Sequence, residues 1–311
     1  MTGSLAFVFP GQGSQAVGML AELAAEPLVV DTFAEASAAL GYDLWALCQQ
    51  GPAEQLNQTD KTQPAILTAS VALWRLWCAR TDVRPAFVAG HSLGEYSALV
   101  AAGSLDLAAA AKLVARRGEL MQQAVPAGSG AMAAILGLED ADVQAACAEA
   151  AQGEVVSAVN FNAPGQVVIA GTAAAVERAI EACKARGAKR ALPLPVSVPS
   201  HCELMRPAAE QFAADIEAVG LRAPQIPLVQ NVTATAVADL AELKQNLLAQ
   251  LYSPVRWVES VVWLGEQGVS ELVECGPGKV LAGLNKRCLK GAGNHALDTP
   301  DALASALAAL V

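Results

Sequence analysis

Short unbroken apolar runs alternate with longer stretches of helical spacing through the first part of the chain. Leu5-Ala6-Phe7-Val8-Phe9 is apolar throughout and stops at Pro10-Gly11, the pattern of a buried strand. Helical spacing follows over residues 15–25, 28–40 and 62–80. Ala86-Phe87-Val88-Ala89-Gly90 is a second short apolar run. It leads directly into His91-Ser92-Leu93-Gly94 and an apolar helix to Ala102. Ser104-Leu105-Asp106 caps a further helix to Val125. Strands alternating with helices predict an α/β layer with a mainly parallel sheet.

The pattern changes from Gly128. Ala131–Leu138 reads as a strand, Asp140–Ala151 as a helix and Val155–Asn162 as a strand. Pro164-Gly165 makes a turn into a strand at Val167–Gly171. Ala173–Arg186 is then a helix and Ala188–Val196 a strand. That order, β-α-β-β-α-β, is the split βαβ of ferredoxin-like domains, and it marks residues 128–197 as an insertion. Residues 1–127 and 198–311 form the rest. There His201–Val219 reads as a helix, Leu228–Val232 as a strand and Leu272–Cys275 as a strand ending in Gly276-Pro277-Gly278.

Composition narrows the classes. The chain has 311 residues, 54% hydrophobic and 16% charged, enough to bury a large core. No apolar run reaches the length of roughly 18 residues that reads as a membrane span. The N-terminal run lacks a basic leader and a small-residue cleavage pattern, so it reads as a strand and the expected compartment is the cytoplasm. The net charge of −10 offers no surplus of cations for nucleic acid. Seven cysteines, none in C-x-x-C spacing, read as thiols in a reducing compartment. Three histidines supply a metal site poorly, and none is expected.

Four places carry candidate chemistry. Gly90-His91-Ser92-Leu93-Gly94 is a G-x-S-x-G between a strand and a helix. Such a turn pushes the serine hydroxyl out over the sheet edge, and the N–H of Leu93 can donate to an oxyanion. Gly11-Gln12-Gly13-Ser14-Gln15-Ala16 has two readings. It fits the G-x-G-x-x-A dinucleotide fingerprint, or it is a loop that presents Gln12 and nearby backbone N–H groups to a carbonyl oxygen. Pro10 and the lack of an acidic strand end count against the first. A serine nucleophile needs a base, and His201, after Val198-Pro199-Ser200, sits where the chain leaves the insertion. A solvated histidine is the alternative, and no carboxylate offers itself as a third member. Arg117 falls within the apolar stripe of Leu107, Leu113, Val114, Leu120 and Met121, at about 100° per residue. Its partner is a structural anion or a substrate carboxylate, which suits a planar fork.

These stretches together resemble the acyltransferase family of fatty-acid and polyketide synthesis, and most closely its bacterial malonyl-CoA:acyl-carrier-protein transacylases. The resemblance is carried by Phe7–Gln15, Gly90–Glu95, Arg117-Gly118, Asn160–Gly171, Val198–His201, Gln250–Val255 and Gly276–Gly278, and it covers essentially the whole chain. It implies a hydrolase-like parallel-sheet core with the ferredoxin-like insertion. It implies Ser92 as the acylated residue and His201 as its base, oriented by the main-chain carbonyl of Gln250. It implies Gln12 and Leu93 at the oxyanion hole and Arg117 on the malonyl carboxylate. The implied substrates are malonyl-CoA and holo acyl carrier protein, with no bound cofactor. A serine thioesterase, an NAD-dependent oxidoreductase and a non-catalytic carrier-binding module are the rival classes. Lys184, Arg186, Lys189 and Arg190, with Lys279, Lys286, Arg287 and Lys290, are candidate docking cations for the acidic carrier. Cys202, beside His201, is the alternative nucleophile, and Cys275 and Gly291–Thr299 depart from the family pattern.

Overall fold

The computed structural model describes residues 4–196 and 198–311. Ser197, the last residue of the expected insertion, lies outside the described residues. The chain runs β1 (Ser4–Phe9), α1 (Pro27–Leu40), α2 (Leu44–Gln50), α3 (Ala53–Leu56), α4 (Thr59–Arg80), β2 (Phe87–Gly90), α5 (Gly94–Ala101) and α6 (Leu107–Gln123). Next come β3 (Gly130–Leu136), α7 (Asp140–Ala151), β4 (Val156–Ala163), β5 (Gln166–Thr172), α8 (Ala173–Ala185) and β6 (Arg190–Pro193). The remainder is α9 (Arg206–Ala218), β7 (Leu228–Val229), α10 (Leu240–Ala249), α11 (Trp257–Glu266), β8 (Val269–Glu274), α12 (Val280–Cys288), β9 (Gly293–Ala296) and α13 (Pro300–Leu310).

Two sheets organise the molecule. The first is parallel throughout, in the order β7-β2-β1-β8-β9. β1 is its central strand, which explains an apolar run without alternation: both faces are covered. Leu5, Phe7 and Phe9 enter the core under α1, α4 and α6, while Ala6 and Val8 face α11 and α12. Phe7 meets Trp74 and Trp77 edge-on, with ring centroids 5.3 and 5.2 Å away. The second sheet is antiparallel, in the order β4-β5-β3-β6. α7 and α8 cover one face of it. The other face, with Met132, Val159, Val168 and Ala170, packs on Cys202, next to His201. The β4 edge continues onto the main body, where the Val255 N–H donates to Val159 O and the Phe161 N–H to Val255 O.

Several expected elements are revised. Residues 15–25 form turns and a short 3-10 segment at Ala21–Leu23, because Gly18 and Leu20 take left-handed φ of 85° and 59°. The helix expected from His201 begins only at Arg206, with Pro207 in its first turn, and His201 itself has φ 66°. Asp106 holds the N-cap position of α6 without capping it, since its carboxylate accepts from Arg222 instead. The strand expected over Leu228–Val232 stops at Val229, and Gln230 and Asn231 turn their polar groups elsewhere. The strand expected over Ala188–Val196 is limited to Arg190–Pro193.

Candidate active site

The turn between β2 and α5 is built by two glycines that no other residue could replace without moving backbone. A Cβ on Gly90 would lie 1.9 Å from Gly94 C, and one on Gly94 would lie 2.0 Å from Phe9 O. That crowding lets β2 meet α5 almost without a connection and puts Ser92 at φ 53°. The loop after β1 lies against the same turn, because a Cβ on Gly11 would meet His91 O at 2.4 Å. No α-helix starts at this loop, and the next one is α1 at Pro27. A dinucleotide cradle needs such a helix N-terminus directly after its glycines, so that reading of Gly11–Ala16 is set aside.

His201 reaches Ser92 from across the main body. Its Nδ1–H donates to the main-chain carbonyl of Gln250 at 2.7 Å. That carbonyl can only accept, so the proton sits on Nδ1 and Nε2 is left as an acceptor. Ser92 Oγ lies 2.7 Å from Nε2, with its hydroxyl donating. The His201 N–H also donates to Leu251 O at 3.0 Å, which ties the residue to the chain beyond α10. Burial, reinforced by the positive charge of Arg117, pushes the imidazole down to about 3 and keeps it neutral near pH 7. A neutral imidazole that accepts from a serine hydroxyl has the geometry a general base needs.

Arg117, on α6, is fully buried. Its Nη1 donates to Gln63 Oε1 and its Nη2 to Gln250 Oε1, each at 2.9 Å. Its guanidinium carbon lies 5.4 Å from the Tyr96 ring centroid. Nε has no partner among the described residues. No carboxylate forms a salt bridge with this cation among the described residues, although the Glu95 charge lies close enough to act on it. The Leu93 and Gln12 N–H groups also take no acceptor among the described residues. Leu93 is buried, whereas Gln12 is exposed.

Neither periodicity nor motif assigned a role to four further residues at the site. Glu95, Gln63, Gln230 and Asn231 are buried. Asn231 Oδ1 accepts the Ser92 N–H at 2.7 Å and its Nδ2 donates to Gly90 O at 2.6 Å. Only Glu95 carried a local signal, as the last residue of the Gly90–Glu95 stretch. Cys202 does not compete as a nucleophile. Its thiol donates to Pro199 O at 3.1 Å and burial pushes it up to about 11. His295 lies apart from the site, 2.9 Å from Glu271.

Known proteins place this chain in a family. The acyl transferase domain matches residues 6–300. The chain belongs to that family. A malonyl CoA-acyl carrier protein transacylase of Salmonella typhimurium is 61% identical over 303 residues, which is 97% of this chain and 98% of that protein. The crystal structure of an acyl carrier protein S-malonyltransferase from Vibrio cholerae superposes with a TM-score of 0.95 at 61% identity, covering 97% of this chain and 99% of that one. A structure of a type II PKS acyl-carrier protein in complex with its malonyl-transacylase matches with a TM-score of 0.97 at 56% identity, over 98% and 99% of the two chains. Acyl transferases of this family are enzymes, and a serine hydroxyl on a strand–helix turn that donates to a histidine is an arrangement that suits acyl transfer.

Proposed function

We propose that this acyl transferase moves a malonyl group from malonyl-CoA to the phosphopantetheine thiol of acyl carrier protein through an ester on Ser92. The observation that carries the reading is the 2.7 Å contact between Ser92 Oγ and a neutral His201 whose other nitrogen is held by Gln250 O. In the first half-reaction His201 takes the hydroxyl proton as Ser92 attacks the thioester carbon. The Leu93 N–H and its counterpart in the Gln12 loop stabilise the oxyanion, and coenzyme A leaves with the proton from His201. In the second, His201 takes the carrier's thiol proton, the thiolate attacks the ester, and Ser92 regains its proton. Neither half-reaction changes oxidation state or needs a bound cofactor. Arg117 receives the malonyl carboxylate through its fork.

The names and coverage of the relatives support this substrate pair. The polyketide carrier in one relative's complex supports a polyketide pathway as the second reading of where the malonyl goes. A thioesterase has no use for a buried cation at its acyl end, which favours transfer. We also read residues 128–197 as a ferredoxin-like subdomain inserted into a hydrolase-like core of residues 1–127 and 198–311. The order of elements and the β4-β5-β3-β6 strand order support that division. The cytoplasm is the compartment this reading implies. No helix among the described residues is long and apolar enough to cross a membrane. Intact-mass measurement after incubation with malonyl-CoA tests the reading. One malonyl per chain is expected, and none on Ser92→Ala.

A further inference from the structure

Behind Ser92 lies a charged lattice that the transfer steps do not themselves use. Glu95 sits in the first turn of α5 and is fully buried. Its Oε1 accepts from Gln230 Nε2 at 3.0 Å. Its Oε2 accepts from the Asn231 N–H at 3.0 Å and from Gln250 Nε2 at 2.8 Å. Two of these donors belong to residues with a second contact at the site. Asn231 binds Ser92 N–H and Gly90 O, and so grips the turn on both sides of His91. Gln250 offers its carbonyl to His201, and its Nε2 also donates to Ser92 O at 3.1 Å. The Gln250 amide can face only one way, because its oxygen meets the Arg117 cation and its nitrogen meets the Glu95 anion.

We propose that Glu95 is a positioning residue for acyl transfer, whose carboxylate, through Asn231 and Gln250, holds the nucleophile turn and the base in one frame. The proposal rests on Ser92 and His201 being nucleophile and base. All three groups facing Glu95 are donors, so only an ionised carboxylate accepts from all of them. A protonated acid or an amide at this position would turn a donor toward a donor, and a buried mismatch of that kind is costly. The charged group facing it is Arg117 of α6, and the neighbouring titratable group is Tyr96 on its own helix, which burial holds neutral.

The lattice carries a pH signature. Burial pushes Glu95 up to about 7, against the pull of its hydrogen bonds and of Arg117. His201, at about 3, stays a free base across that range. As pH falls through about 7, Glu95 takes a proton and the lattice loses an acceptor, while the base itself is unchanged. An acid limb near neutrality therefore belongs to Glu95.

The test measures the rate at which a fluorophosphonate modifies Ser92, with loss of fluoride, from about pH 5 to pH 9. The probe reports serine activation without any acyl substrate, so a failure here is separable from a failure of malonyl loading, measured in parallel. The wild-type rate should rise through about pH 7 to a plateau. Glu95→Gln should lower that plateau about ten- to a hundredfold, the scale of lost charge-assisted hydrogen bonds, and abolish the limb. A purely structural Glu95 would lower the melting temperature and leave both rate per folded molecule and limb in place, which would overturn the proposal. Should the variant fail to fold, Glu95→Asp, which keeps the charge but shortens its reach, takes its place, and a wild-type plateau rate per folded molecule would also overturn the proposal.

Discussion

On the proposed function, substrate class turns on Arg117. It is a fully buried cation held by two glutamine oxygens, with one guanidinium nitrogen unpartnered among the described residues. Losing a desolvated charge pair typically costs about 2–5 kcal/mol, or roughly one and a half to nearly four decades in rate. Arg117→Ala should cripple malonyl transfer and spare or raise transfer of acetyl, which brings no anion to the cation. Arg117→Lys should recover part of the activity, because an ammonium lacks the planar fork. Parallel rates with malonyl-CoA and acetyl-CoA, with folding followed by circular dichroism, check this. Equal losses for both acyl groups would make Arg117 a structural residue acting through Gln250. Its burial was legible from the apolar stripe on one helix, since 3.6-residue periodicity is local information. Its partners were not. Gln63 and Gln250 arrive from 54 and 133 residues away, and no pattern in one chain links positions that far apart.

At the scale of elements, the strand–helix turn was the most legible part of the site, because both glycines serve contacts within a few residues or with the adjacent strand. Gly94→Ala places a Cβ 2.0 Å from Phe9 O, a backbone atom of the central strand. Overpacking costs about 1–3 kcal/mol where side chains can yield, and more is expected where backbone must move. The variant should melt lower and lose Ser92 loading. Unchanged melting together with a wild-type loading rate would show that the turn is looser than its contacts imply. His201 was harder to read. Helical spacing continued smoothly back to His201, yet the residue stands outside α9 in a left-handed conformation, with its backbone fixed to Leu251 O. Short strands were also overestimated, as at β7, where Gln230 and Asn231 leave the ladder to serve Glu95. Polar side chains that end an element for the sake of a distant partner leave no local mark.

The whole molecule carries a net charge of −10, the same sign as the acidic carrier that the proposed function requires. Structure thins the candidate cations. Lys184 pairs with Glu181, Arg186 with Glu149 and Lys279 with Asp298, while Arg287 binds Gln166 Oε1 and Pro164 O. Lys189, Arg190, Lys286 and Lys290 are exposed and form no ion pair among the described residues. Reversing these four should slow transfer to the carrier and weaken its salt dependence, while loading from malonyl-CoA changes less. Transfer that ignores both salt and reversal would move docking elsewhere. The two sheets were legible as a change of pattern at Gly128, and the link from β4 to the main body through Val159 and Val255 was not. Protein loaded with malonyl-CoA and freed of excess is mixed with holo acyl carrier protein, and both are followed by intact mass and peptide mapping. Malonyl should leave the Ser92 peptide and appear on the carrier at equal rates, faster than it is lost to water. Malonyl mapping to another residue, or release to water that outpaces appearance on the carrier, would contradict the account.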